Sequence, residues 1–139
     1  MITNVQTALR AAFFAAALFP EENVQSENRK FESPSTGLPW ASLNFSDLSI
    51  TLASNGAGGQ DRVDGFMQVD LNYPLDEGVG DISDMADQVQ ELFQSGSYFT
   101  HSGQGVTVLS SGRSAARRVD GLLRLSITVR YYAHYNRQI

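Results

Sequence analysis

Residues Leu123 to Tyr135 read LRLSITVRYYAHY, the clearest strand in the chain. Leu123, Leu125, Ile127, Val129, Tyr131, Ala133 and Tyr135 alternate with Arg124, Ser126, Thr128, Arg130, Tyr132 and His134. Successive side chains of a strand point to opposite faces, so a period of two predicts one dry face and one wet face. The dry face of such a sheet needs a second layer to cover it.

Outward from this stretch, Arg62 to Tyr73 repeats the pattern, with Val63, Met67, Val69, Leu71 and Tyr73 on one face and Phe66, Gln68, Asp70 and Asn72 on the other. Trp40 to Ser54 is also strand-like. Leu43 and Phe45 alternate, then Leu48, Ile50 and Leu52 alternate in the other phase, so a bulge or turn is expected at Ser46-Asp47. Between these two strands lies Asn55 to Asp61, NGAGGQD, whose Asn-Gly dipeptide signals a hairpin. Two short strand candidates lie around Tyr98 to His101 and Val106 to Leu109, and Ser110 to Asp120, SSGRSAARRVD, reads as a basic loop of small residues.

The covering layer comes from two helices. Asn4 to Phe19 carries Val5, Leu9, Ala12, Phe13 and Ala16 on one stripe, with Thr3 or Asn4 as a cap and Pro20 as a stop. Its other side, Ala8, Ala11, Phe14, Ala15 and Leu18, is apolar too, so cover from the sheet and from a neighbouring subunit are both open. The second helix, about Ile82 to Gln94, has Ile82, Met85, Ala86, Val89, Leu92 and Phe93 on one stripe, and Asp84, Asp87, Gln88 and Glu91 opposite. Asp81 is its expected cap and Gly96 its stop. Glu21 to Pro39 is a long polar connector, and Pro74 to Gly80 a shorter one. The expectation is a single α+β domain over residues 1–139, with two helices packed on one face of a mainly antiparallel four- to five-stranded sheet in the order α-β-β-α-β-β(-β).

The 139 residues contain no cysteine, which removes disulfides and thiolate metal sites. The net charge is −5, which disfavours general binding to phosphate backbones. Nine of the ten basic residues are Arg, the residue suited to bidentate contacts with carboxylates at protein interfaces. Ala11 to Phe19, AAFFAAALF, follows Arg10 like the core of a signal peptide, but nine apolar residues fall well short of the about 20 that span a bilayer.

No catalytic constellation rises above background. Gly56 to Gly59 lacks the Lys-Ser/Thr of a phosphate loop and joins two strands, so it reads as a hairpin tip. Asp76, Glu77, Asp81 and Asp84 fit no EF-hand spacing and read as a helix start beside a solvated loop. His101 and His134 have no local His or Cys partner, and no serine sits in a GxSxG elbow. Neither a catalytic residue, a cofactor nor a metal is expected. Arg113, Arg117 and Arg118 stand out instead, as three guanidinium groups within six residues. They read either as a solvated loop or as a finger reaching phosphates or carboxylates on a partner, another copy of this acidic chain in a head-to-tail ring being one source of such carboxylates.

Three segments together resemble the small tail-terminator proteins of tailed bacteriophages. They are Asn28 to Phe31 followed by Pro34, Gly37, Pro39 and Trp40; Gly65 to Asp70 (GFMQVD) followed by Pro74, Gly78, Gly80 and Met85 to Phe93; and the closing strand Leu123 to Tyr135. The resemblance implies helices on a small sheet. It implies a structural virion protein of the tail and neck that forms a ring, usually of six copies. Such a ring caps the tail tube, stops its polymerisation and docks the head-side connector. The implied partners are further copies of the chain, the tube protein and the connector or stopper, without a membrane and without specific nucleic-acid binding while the genome passes through the lumen. The implied locations are the virion and, during assembly, the host cytoplasm. The alternatives are a head-tail connector or stopper protein and, from another class, a small enzymatic or ligand-binding domain. The expected interface residues are Arg113, Arg117, Arg118, Asn55, Gly56, Gly58, Gly59, Asp76, Glu77, Phe14 and Leu18.

Overall fold

The computed structural model describes residues 2–26, 38–76 and 78–136. Helix α1 spans Ile2–Ala15, followed by a 3-10 turn at Glu21–Asn23 and the two-residue strand β1, Val24–Gln25. Strands β2 (Trp40–Leu52) and β3 (Gln60–Pro74) lead to helix α2 (Gly80–Leu92). Then come β4 (Tyr98–His101), β5 (Gln104–Arg113), β6 (Arg117–Val119) and β7 (Leu122–Asn136).

The expected four- to five-stranded sheet is corrected to a seven-stranded one, ordered β1-β2-β3-β7-β5-β4 with β6 pairing β7 off this path. It is mixed, because β1 runs parallel to β2, and it curls into a half-barrel. Two strands were missed for identifiable reasons. The strand β1 is two residues long inside a polar connector, too short to show a period. The strand β6 reads Arg-Arg-Val, charged enough to pass for loop, yet it turns back into β7 through Asp120 and Gly121 at φ 48° and 76°. That is the left-handed pair that a two-residue hairpin requires.

The two long strands pair along their whole length. Val63, Met67, Val69 and Leu71 of β3 face Ala133, Val129, Ile127 and Leu125 of β7, and all eight are buried on one face. Ala41 and Leu43 of β2 extend that face beside Leu71 and Val69. Helix α2 covers it with Ile82, Ala86 and Val89, and α1 with Val5, Ala8, Leu9 and Phe13. On α1, Ala11 and Ala15 remain exposed, so within the chain the helix is covered on one side. It ends five residues before Pro20. Ala17 turns at φ 52° and carries Phe19 back to stack on Phe13 at 6.5 Å. The α1 start lies before the expected Thr3 or Asn4 cap, and α2 begins at Gly80, which places Asp81 inside its first turn. An acid there complements the helix dipole.

Gly65 is required by a close approach. A Cβ there would lie 2.6 Å from Tyr131 Oη and 3.2 Å from Leu48 Cδ2, so the tyrosine ring lies against bare backbone.

Candidate assembly surfaces

Chemistry would need convergent polar groups in a concave site. The larger cleft, about 550 Å³, lies between the C-terminal ends of both helices and β4, lined by Leu18, Leu92, Tyr98 and Phe99 with Gln88 and Glu91 at its rim. A second, about 360 Å³, is lined by Gln60, Gln104, Tyr132 and His134. Among the described residues no group of three or more His, Asp or Glu side chains is placed to hold a metal ion. No helix there is long and apolar enough to cross a membrane. Four surfaces of the chain are distinct.

The first is the far half of the β2–β3 hairpin. A bulge between Ser46 and Ser49 shifts the phase of β2 where the sequence predicts it. Beyond it Ile50 and Leu52 pair with Val63 and Asp61 and so point to the same side as the core. Leu48, Ile50 and Leu52 are nevertheless 44%, 51% and 65% exposed, more so toward the tip. The tip itself runs from residue 53 to 59. Asn55, Gly56 and Gly58 are exposed, with Gly56 at φ 97° and the Gly59 N–H donating to Gly56 O at 3.1 Å.

The second surface is the opposite end of the same strands. Asp76, just past β3, takes φ 67° and accepts from Arg118 Nη2 of β6 at 3.1 Å. Both side chains are more than two-thirds exposed, at 79% and 71%. Glu77 lies outside the described residues.

The three clustered arginines are not brought to one place. Arg113 ends β5 on the helix side, where it pairs with Asp87 of α2 and donates to Ser83 O at 3.4 Å. Arg117 donates to Ser114 Oγ at 2.9 Å and Ser126 Oγ at 3.1 Å, stitching the corner between β5 and β7. Only Arg118 reaches the exposed corner. The expected basic loop is largely strand, because β5 continues through Arg113 and β6 begins at Arg117. Phe14 and Leu18 are half-buried, Phe14 edge-on to Phe13 at 6.4 Å and Leu18 in the larger cleft.

The third surface is the sheet face turned away from the helices. Arg62 binds both Asp64 oxygens and lies 4.3 Å over the Tyr132 ring, and Arg130 lies 5.4 Å over Phe66. The Asp64 carboxylate raises the Arg62 pKa above its ordinary value, so this guanidinium stays charged. Farther along, Asp70 accepts from Ser126 Oγ at 2.5 Å and Gln68 Nε2 at 2.9 Å, and Arg124 Nε donates to Asn72 Oδ1 at 2.8 Å. The alternation of Leu123 to Tyr135 already assigned these β7 residues to one wet face; the pairing of Arg130 with Phe66 and of Tyr132 with Arg62 across β3 needed the register.

The fourth surface is the outer side of α2, with Asp84, Asp87, Gln88 and Glu91 exposed. Burial raises the pKa of Tyr73 near this helix, with a smaller push from Asp81.

A family model described as phage tail terminator protein matches residues 4–131. One solved structure superposes with a TM-score of 0.68 at 21% identity, covering 96% of this chain and 98% of that one. A chain from the virion of a native gene transfer agent particle superposes with a TM-score of 0.53 at 20% identity, covering 96% and 93%. No curated protein matches.

Proposed function

The chain belongs to the phage tail terminator family, whose members are structural proteins of the virion, and from that membership we propose that it closes into a ring, of six copies, that ends the tail tube. One ring face meets the last tube ring and halts polymerisation, and the other receives the head-side connector. It assembles in the host cytoplasm and remains at the neck, with the genome passing through its lumen.

The observation that carries this reading is the placement of two adaptable surfaces at opposite ends of one strand. The strand β3 has 15 residues, and at about 3.3 Å per residue it separates the two ends by roughly 45 Å. The glycine tip at 53–59 and the apolar row leading to it stand at one end, and the Asp76–Arg118 corner at the other. A ring with the long strands along its axis presents these ends on its two faces. Glycine lets the tip conform to a tube protein of different sequence, while the paired strands behind it stay rigid. We assign the tip to the tube and the charged corner to the connector.

Deleting Gly56 to Gly59 tests the assignment. The tip is exposed and lies outside the paired strands, so the subunit should fold normally. In cells where this variant is the only terminator, electron micrographs should show tails of uncontrolled length. Tails of normal length that fail to join heads would move the tip to the connector face. Tails normal in length and joined would remove the hairpin from the working surface.

A further inference from the structure

The two broad faces of the subunit carry opposite charge, and within the ring reading we propose that they meet: the outer sheet face of one copy docks against the acidic side of helix α2 of the next, with Arg130 of the first received by Asp84 and Glu91 of the second. The sheet face holds four arginines, Arg62, Arg117, Arg124 and Arg130, against two aspartates. Both aspartates are already engaged, Asp64 by Arg62 and Asp70 by Ser126 and Gln68. Among the described residues neither Arg124 nor Arg130 lies within ion-pair distance of a carboxylate. Arg130 is exposed and touches only the face of Phe66 among ring and ion partners. The helix side is the reverse. Asp84 and Glu91 are exposed with no cation paired to them among the described residues, and Asp87 alone has Arg113.

These faces lie on opposite sides of a two-layer molecule. A contact between two different patches of identical subunits is heterologous, and it closes into a ring when the rotation from copy to copy divides a full turn without a rise, or runs on as a filament when it does not. Arg, Phe and Tyr are the residue types enriched in the buried centres of interfaces, and Arg130, Phe66 and Tyr132 cluster there. The helix acids supply the carboxylates that a planar guanidinium binds in bidentate fashion. A second copy is therefore the occupant that charge complementarity selects, since each subunit brings both halves of the contact. A nucleic acid or an unrelated acidic protein would fit the sheet face but leave the acidic helix side unanswered.

The test is a charge exchange. One variant carries Arg130→Glu, the other Asp84→Arg with Glu91→Arg, and both should melt like the parent because all three side chains are exposed. Each alone should weaken ring association by about a hundredfold or more, read by native mass spectrometry of the protein and of tails assembled with that variant as sole terminator. Supplied together, they should restore rings in which the two variants alternate, which requires an even number of subunits. Arg130→Gln should fall between parent and Arg130→Glu. Rings from the parent and from each variant alone, or no recovery on mixing, would overturn this contact and leave the ring reading intact. Failure of the parent to form a ring, both free and in finished tails, would instead remove the ring reading itself.

Discussion

The two halves of β2 have the same kind of sequence and opposite fates. Ala41 and Leu43 point to the core face and are buried, at 0% and 1% exposure. From the bulge onward, Leu48, Ile50 and Leu52 point to that same face and are exposed. Neither strand pairing nor alternation distinguishes them, since β3 accompanies both halves. The difference is what lies above. Helices α1 and α2 pack over the central rows of β3, β7 and β5, and the hairpin continues past them. Periodicity assigns a side chain to a face; it does not say whether this subunit or another covers that face.

The comparison predicts unequal responses to truncation. Leu43→Ala removes a side chain packed into the closed core and should destabilise the subunit by about 2–5 kcal/mol in urea unfolding. A loss no larger than that of a surface substitution would mean that the near half is as open as the far half.

That core was legible in outline. Residues 123–135 and 62–73 declared their buried faces through an unbroken period of two, and both helices through apolar stripes. The phase slip at Ser46-Asp47 correctly announced the bulge. What stayed hidden was shorter than a period or depended on register. Ser102-Gly103 and Asp120-Gly121 both turn hairpins with positive φ at two successive residues. Each Xaa-Gly dipeptide is a hairpin signal, and the second would have exposed β6 had the arginines beside it not read as loop. The dispersal of Arg113, Arg117 and Arg118 to three different environments depended on β5 running through Arg113. An alternating strand sends neighbours to opposite faces, so closeness in sequence did not become closeness in space.

At the joint between the halves, Gly65→Ala sharpens the contrast. The added methyl would meet the Tyr131 ring, with Cζ at 2.8 Å and Oη at 2.6 Å. Tyr131 is fully buried and has little room to retreat, so overpacking should cost about 1–3 kcal/mol, seen as a lower urea midpoint with an unchanged slope. An unchanged midpoint would show that the ring can swing toward Leu48, and that the far half is softer than its pairing implies.

The smallest effect on the isolated subunit is expected where the effect on assembly is largest. Ile50→Ser with Leu52→Ser replaces two side chains already half or more in water. Little burial is lost, so unfolding free energy should move by no more than about 0.5 kcal/mol per site, as for other exposed positions. In tails assembled with this variant, the apolar row would no longer offer a dry surface to a partner. Single exposed aliphatic side chains are ordinary on a protein surface, but Leu48, Ile50 and Leu52 at alternate positions along one strand, more exposed toward a glycine tip, form a contiguous patch. The expected outcome is therefore normal melting together with defective tail termination. A loss of several kcal/mol would place the row within the subunit's own core and erase the distinction between the halves of β2. Normal melting with normal tails would make the row incidental surface, and the proposed tube contact would then rest on the tip loop alone.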